Sequence, residues 1–154
     1  MPLVSLEDLP PKGALLGLDP GSKTIGVAGC DPGRIIASAV ETIVRGKKLA
    51  PSLDRLFQIY DQRQSVGIVM GLPINMDGTE GPRAQSARSL VQNILARRDI
   101  PLAFWDERLS TAGAERALLE ADASRARREE VIDKLAAAWI LQGAVDRLND
   151  RPKT

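Results

Sequence analysis

The chain reads as an α/β domain: a mixed five-stranded sheet, built from a three-stranded meander plus two parallel strands, with helices on both faces. Three observations predict it. Apolar runs separated by short turns fill residues 14–44, the signature of consecutive antiparallel strands. From residue 49 to 105, stretches with helical spacing of apolar residues alternate with single apolar runs, the pattern of βαβ crossovers. The 154 residues, 44% hydrophobic and 27% charged, suffice for one domain with its own core.

In chain order, Met1 to Gly13 is expected to be a flexible leader, because Pro2, Pro10, Pro11 and Gly13 interrupt any regular pattern. Ala14 to Asp19 forms the first strand and Thr24 to Gly29 the second, joined by the Pro20-Gly21-Ser22 turn. After Cys30-Asp31-Pro32-Gly33, a third strand spans Arg34 to Val44. Leu49, Leu53, Leu56, Phe57 and Tyr60 line one face of a helix with Pro51 in its first turn. Val66 to Met70 is the fourth strand, stopped at Gly71-Leu72-Pro73. Pro82 opens a helix whose apolar face is Ala84, Ala87, Val91, Ile94 and Leu95, and Pro101 to Trp105 is the fifth strand. Ser110 or Thr111 is placed to cap a helix bearing Ala114, Ala117, Leu118 and Ala121. Asp122 to Glu130 lacks periodicity and is expected to be a mobile loop; a final helix runs from about Glu129 to Asn149. The domain thus covers residues 14–149, with a tail over 150–154.

Composition excludes several chemistries. With no histidine, Ser-His-Asp and Cys-His catalysis and His-ligated zinc are ruled out within the chain. Any metal must be held by carboxylates, which favours Mg²⁺ or Mn²⁺. The net charge of +1 means that a nucleic-acid partner would need a local basic patch. The single Cys30 cannot form an internal disulfide, no secretory signal is visible, and the apolar runs are too short to span a bilayer. A cytoplasmic protein without membrane contact is expected.

Parallel strands gather their C-terminal ends on one edge, where α/β sheets place ligands. Asp19 ends the first strand there and Asp106-Glu107 end the fifth. In the last helix Ala136, Ala137, Ile140, Leu141 and Ala144 share a stripe with Asp133, so this acid faces the sheet. Alternation sends Asp106 and Glu107 to opposite faces; Glu107, last on the strand and longer, is the expected ligand. Clustered carboxylates repel one another unless a cation lies between them, and two-metal carboxylate sites hydrolyse phosphodiesters. Asp19, Glu107 and Asp133 are therefore the candidate metal ligands and catalytic residues. Lys23, Asn75, Arg108 and the run Arg125, Arg127, Arg128 are candidate substrate-binding residues.

Four strings carry a resemblance: Gly17-Leu18-Asp19-Pro20-Gly21-Ser22-Lys23 with Ile25-Gly26-Val27-Ala28; Gly71-Leu72-Pro73-Ile74-Asn75-Met76-Asp77-Gly78; Asp106-Glu107-Arg108-Leu109-Ser110-Thr111; and Asp133 with Ala136-Ala137 and Ile140-Leu141-Gln142. In this order, over roughly Ala14 to Leu148, they resemble the YqgF/RuvX family, a RuvC-like branch of the RNase H-like fold. The resemblance implies an RNase H-like sheet and a divalent-metal nuclease that matures the 5′ end of pre-16S ribosomal RNA. It also implies that the acids of the first strand, the Asp-Glu-Arg string and the last helix are Asp19, Glu107 and Asp133. Thr24 departs from the pattern, since many members carry arginine after the lysine. The alternative substrate is a four-way DNA junction, cut by a Holliday junction resolvase acting as a two-fold dimer; a monomer or homodimer is open, and RNA is the preferred partner. A third reading starts from Gly17-x-Asp19-x-Gly21-Ser22, which also resembles the phosphate loop of actin-like ATPases and implies a non-catalytic nucleotide- or RNA-binding module.

Overall fold

The central strand β1 (Ala14–Pro20) is buried along its whole length, as befits a run that packs on both sides. In the computed structural model, residues 4–21, 23–75, 77–107 and 125–149 are described, the side chains of 125–133 excepted. β2 (Thr24–Cys30) and β3 (Ala37–Val44) follow in antiparallel register, then α1 (Ala50–Gln62), β4 (Ser65–Leu72), α2 (Pro82–Arg97), β5 (Leu102–Asp106) and α3 (Arg125–Asn149). The sheet order is β3-β2-β1-β4-β5, with β1, β4 and β5 mutually parallel. This is the meander plus two parallel strands expected.

Each sheet face has its own core. Leu16, Leu18, Ile68 and Met70 pack with Leu53, Leu56, Leu90 and Ile94 of α1 and α2. The alternate residues Leu15, Val69, Ala103 and Trp105 pack with Ala137, Ile140, Leu141 and Val145 of α3. Helices thus cover both faces, and the one-residue alternation of each strand divides its side chains between them.

α3 comes unusually close to the sheet because two glycines lie beneath it. A Cβ on Gly17 would sit 2.6 Å from Leu141 Cβ, and one on Gly71 would sit 2.5 Å from Ile140 Cδ1. At Gly17, where the Ala137 carbonyl would also lie at 2.9 Å, the clash can be relieved only by displacing the helix; at Gly71 the end of the Ile140 side chain has to move.

Three expectations are corrected. The expected flexible leader is anchored at three points within residues 4–13: Leu6 and Leu9 are buried in the α3-side core, and Val4 N–H donates to Leu102 O at 2.9 Å. The prolines flank a 3₁₀ turn over Leu6–Asp8 and do not prevent burial. β3 starts at Ala37 rather than Arg34, because residues 34–36 are committed elsewhere. Arg34 adopts φ +55°, and its guanidinium donates to the Gly13 and Pro10 carbonyls. The Arg34 and Ile35 carbonyls accept from Asn149 Nδ2 and Gln142 Nε2 of α3. Finally, the stretch 125–130 expected as the end of a mobile loop is the start of α3. Arginine, alanine and glutamate are strong helix formers, and extending an existing helix needs no new nucleus. The helix expected around 111–121 lies outside the described residues.

Gly17→Ala is therefore expected to destabilise the fold by about 1–3 kcal/mol through overpacking. Gly46→Ala, with nothing within 4 Å of the added carbon, is the control. Urea denaturation of both variants checks this; equal midpoints would show that α3 yields freely.

Candidate functional site

Because β1, β4 and β5 are parallel, their C-terminal ends share one edge, to which β1 brings Asp19 and β5 brings Asp106 and Glu107. The pairing decides which acid faces which way. Leu18 pairs with Met70, so Asp19 follows beside Gly71, and Gly71 pairs with Trp105. Gly17 and Gly71 both lie under α3, so Asp19, two residues beyond Gly17, is on the α3 side. Trp105 packs in the α3-side core and Phe104 against the opposite one. Alternation sends Asp106 to the Phe104 side, whereas Glu107 follows the strand in a 3₁₀ turn, where strand alternation no longer sets its direction.

α3 approaches the same edge. Its C-terminal end is tied to the far end of the sheet, where Asn149 Nδ2 donates to Arg34 O at 2.7 Å. Its Ala137–Leu141 turn crosses Gly17. At 1.5 Å of rise per residue, Asp133 stands about 6 Å beyond Ala137 toward the helix N-terminus, in the direction of Asp19. The Asp133 side chain lies outside the described residues, as does Arg108. Arg125, Arg127 and Arg128 stand in the first turn of α3, their side chains likewise outside.

Asp19 is 1% exposed, and Nη2 of Arg83 lies 3.9 Å from its Oδ1. That separation is a charge contact rather than a hydrogen bond. Arg83 was not among the residues expected from the sequence. It stands in the first turn of α2, where the helix dipole disfavours a cation, and that misfit is the signal that could have identified it. Half-exposed itself, it can reach outward as well as toward Asp19.

The turn after Asp19 is firmly built. Gly21 N–H donates to Thr24 O at 2.8 Å, and Arg45 Nη1 donates to Gly21 O at 2.8 Å. The Arg45 backbone N–H donates to Lys23 O at 2.8 Å, leaving the Lys23 side chain exposed beside Asp19. Thr24, the departure from the resembled family, is buried; the guanidinium at this turn is that of Arg45. Asn75 organises its own loop: its Nδ2 donates to Thr79 Oγ1 at 3.0 Å and its N–H to Thr79 O at 2.9 Å. Glu80, at the end of that loop, is bound by Arg88, whose hydrogen bonds hold the Glu80 carboxyl below the usual carboxylate range.

Among the described residues, no three His, Cys, Asp or Glu side chains cluster closely enough to hold a metal. The buried Asp19 carboxylate nevertheless fits one ligand of a hard cation, since it sits at a rigid strand end with a positive group already drawn to it. No helix among the described residues is long and apolar enough to cross a membrane.

Residues 13–147 match the profile of the RuvX family, described as Holliday junction resolvase. A Bradyrhizobium sp. (strain BTAi1 / ATCC BAA-1182) protein provisionally named pre-16S rRNA nuclease is 58% identical over 139 residues, covering 90% of this chain and 86% of its own. A protein of the same provisional name from Caulobacter vibrioides (strain NA1000 / CB15N) is 52% identical over 154 residues, covering 96% and 98%. Among solved structures, Thermus thermophilus RuvC in complex with a Holliday junction substrate superposes with a TM-score of 0.55 at 12% identity, over 90% of this chain and 97% of that one. That likeness establishes a shared fold.

A neutral amide costs less to bury than a carboxylate, so Asp19→Asn is expected to stabilise the metal-free protein by about 1 kcal/mol. Denaturation in the presence of a chelator measures this, and a lower midpoint for the variant would contradict the placement of Asp19 as a carboxylate kept for function.

Proposed function

The chain belongs to the RuvX family, and on that premise we propose that it is a divalent-metal-dependent nuclease acting in 5′-end maturation of pre-16S ribosomal RNA. The placement of Asp19 supports this reading: it is a buried acid at the end of the central strand, at the edge that the end of β5 and the N-terminal half of α3 also approach. The names of relatives at 52–58% identity support the substrate.

Asp19, Glu107 and Asp133 would hold Mg²⁺ or Mn²⁺. When bound, the cation offsets the charge that builds on the phosphate and makes water a better nucleophile. The chain's own cations do the rest. Arg83 leaves Asp19 for a non-bridging phosphate oxygen, where a guanidinium can make paired hydrogen bonds. Lys23 holds the neighbouring phosphate as a point charge. Ile74, Asn75, Thr79 and Glu80, already held together by the Ile74–Glu80 bridge and the Asn75–Thr79 bonds, would wall the site with little ordering left for them to do on binding. Arg108, Arg125, Arg127 and Arg128 are proposed as further phosphate contacts. One buried free cysteine suits the reducing cytoplasm.

The family's description favours one other substrate, a four-way DNA junction. Faster cleavage of a junction than of pre-16S leader RNA by the same preparation would select it.

With Mn²⁺ and a pre-16S 5′-leader RNA, wild type is expected to cleave and Asp19→Asn to be inactive; equal activity overturns the assignment. Arg83→Ala is expected to lower kcat by about 100-fold, the usual loss when one charge-stabilising donor is removed. At 100 times its dissociation constant, Mn²⁺ should stabilise wild type by about 2.7 kcal/mol, read from thermal melts, and leave Asp19→Asn unmoved.

A further inference from the structure

The cations beside Asp19 do not stop at Lys23. β3 ends at Val44, directly opposite Thr24, and the chain continues as Arg45-Gly46-Lys47-Lys48. Arg45 ties this segment to the turn after Asp19 through its bonds to Gly21 O and Lys23 O. Lys47 and Lys48 are exposed and border a groove of about 450 Å³, walled by the end of β3 and by Pro51 and Ser52 of α1. The acid of that groove is Glu41, which is already engaged by Arg55 at 2.6 and 2.9 Å. Among the described residues, Lys23, Lys47 and Lys48 have no ion-pair partner.

Such a row of like charges adds nothing to folding stability; its mutual repulsion is relieved when an anion lies along it. On a chain whose net charge is +1, it is also a local concentration that the average composition does not require. The row runs across the sheet from β1 to β3, about 10 Å at the usual strand spacing. A nucleic-acid backbone covers that length in a few nucleotides.

We propose that Lys47 and Lys48, held in line by Arg45, bind the sugar–phosphate backbone of the substrate strand a few nucleotides from the phosphate at Asp19. The inference rests on the nuclease reading above. Arg45 is a positioning residue; the two lysines make the contacts. Because they grip phosphates, they add affinity without base preference.

The test is fluorescence anisotropy of a labelled pre-16S 5′-leader RNA in chelator, so that binding is read without cleavage. Lys47→Gln/Lys48→Gln is expected to bind about ten-fold more weakly at 0.1 M salt. Its log–log salt slope should be shallower by about 1.4, two contacts at ~0.7 each. Lys47→Arg/Lys48→Arg and the distant Lys12→Gln should bind as wild type does, and in Mn²⁺ the double Gln variant should show a raised KM with kcat kept. If wild type binds and cleaves this RNA and the double Gln variant matches it in affinity and slope, the backbone track is wrong and the nuclease reading stands. A loss of kcat with unchanged KM also overturns the track, and wild type that binds no RNA overturns both.

Discussion

The close approach of α3 to the sheet is the constraint on which the rest depends. It is a steric arrangement: Gly17 and Gly71 have no side chain where Leu141 and Ile140 press down, and Ala136, Ala137 and Ala144 keep the helix face thin. Helices normally pack with larger side chains between them and their neighbours. Here bulk is removed along one line, and that line aims the N-terminal half of α3 at the edge where β1 ends. The anchoring of its other end by Asn149 and Gln142 fixes the direction. Without this approach Asp133 would belong to an ordinary amphipathic helix.

The same edge is divided electrostatically. On the α3 side β1 brings Asp19, held almost out of water, which is costly for a carboxylate. From the other directions come cations: Arg83 from the first turn of α2, Lys23 from the turn after β1, and Arg45, Lys47 and Lys48 from the end of β3. Several of these placements are poor choices for stability alone. A cation at a helix N-terminus, a buried acid and adjacent lysines each oppose folding slightly. Their common location, at the sheet edge, is the economy of a site that will receive both a cation and a polyanion.

Much of this was legible in the amino-acid order. The strands announced themselves by apolar runs, and α1 and α2 by helical spacing with a proline in each first turn. The stripe of Ala137, Ile140, Leu141 and Ala144 pointed that face of α3 at the sheet before any coordinates. What stayed hidden depends on contacts between distant segments. Nothing local says that Leu6 and Leu9 are buried, because two leucines among prolines carry no period. Nothing local says that Arg34 will spend its guanidinium on Pro10 and Gly13 and so delay β3. Periodicity also failed at residues 125–130, where helix propensity decides. Within the site, the side of Asp106 follows from the β4–β5 register, and Arg83 carried only the faint signal of a cation in the first turn of a helix.

The central claim is that acids from β1, from the end of β5 and from α3 meet on one cation. Anomalous diffraction from crystals grown with Mn²⁺ tests it most directly. The account predicts a peak with carboxylate oxygens of Asp19, Glu107 and Asp133 all at about 2.1 Å. A peak that lacks Asp19 or Asp133, or none at this edge at saturating Mn²⁺, would contradict it.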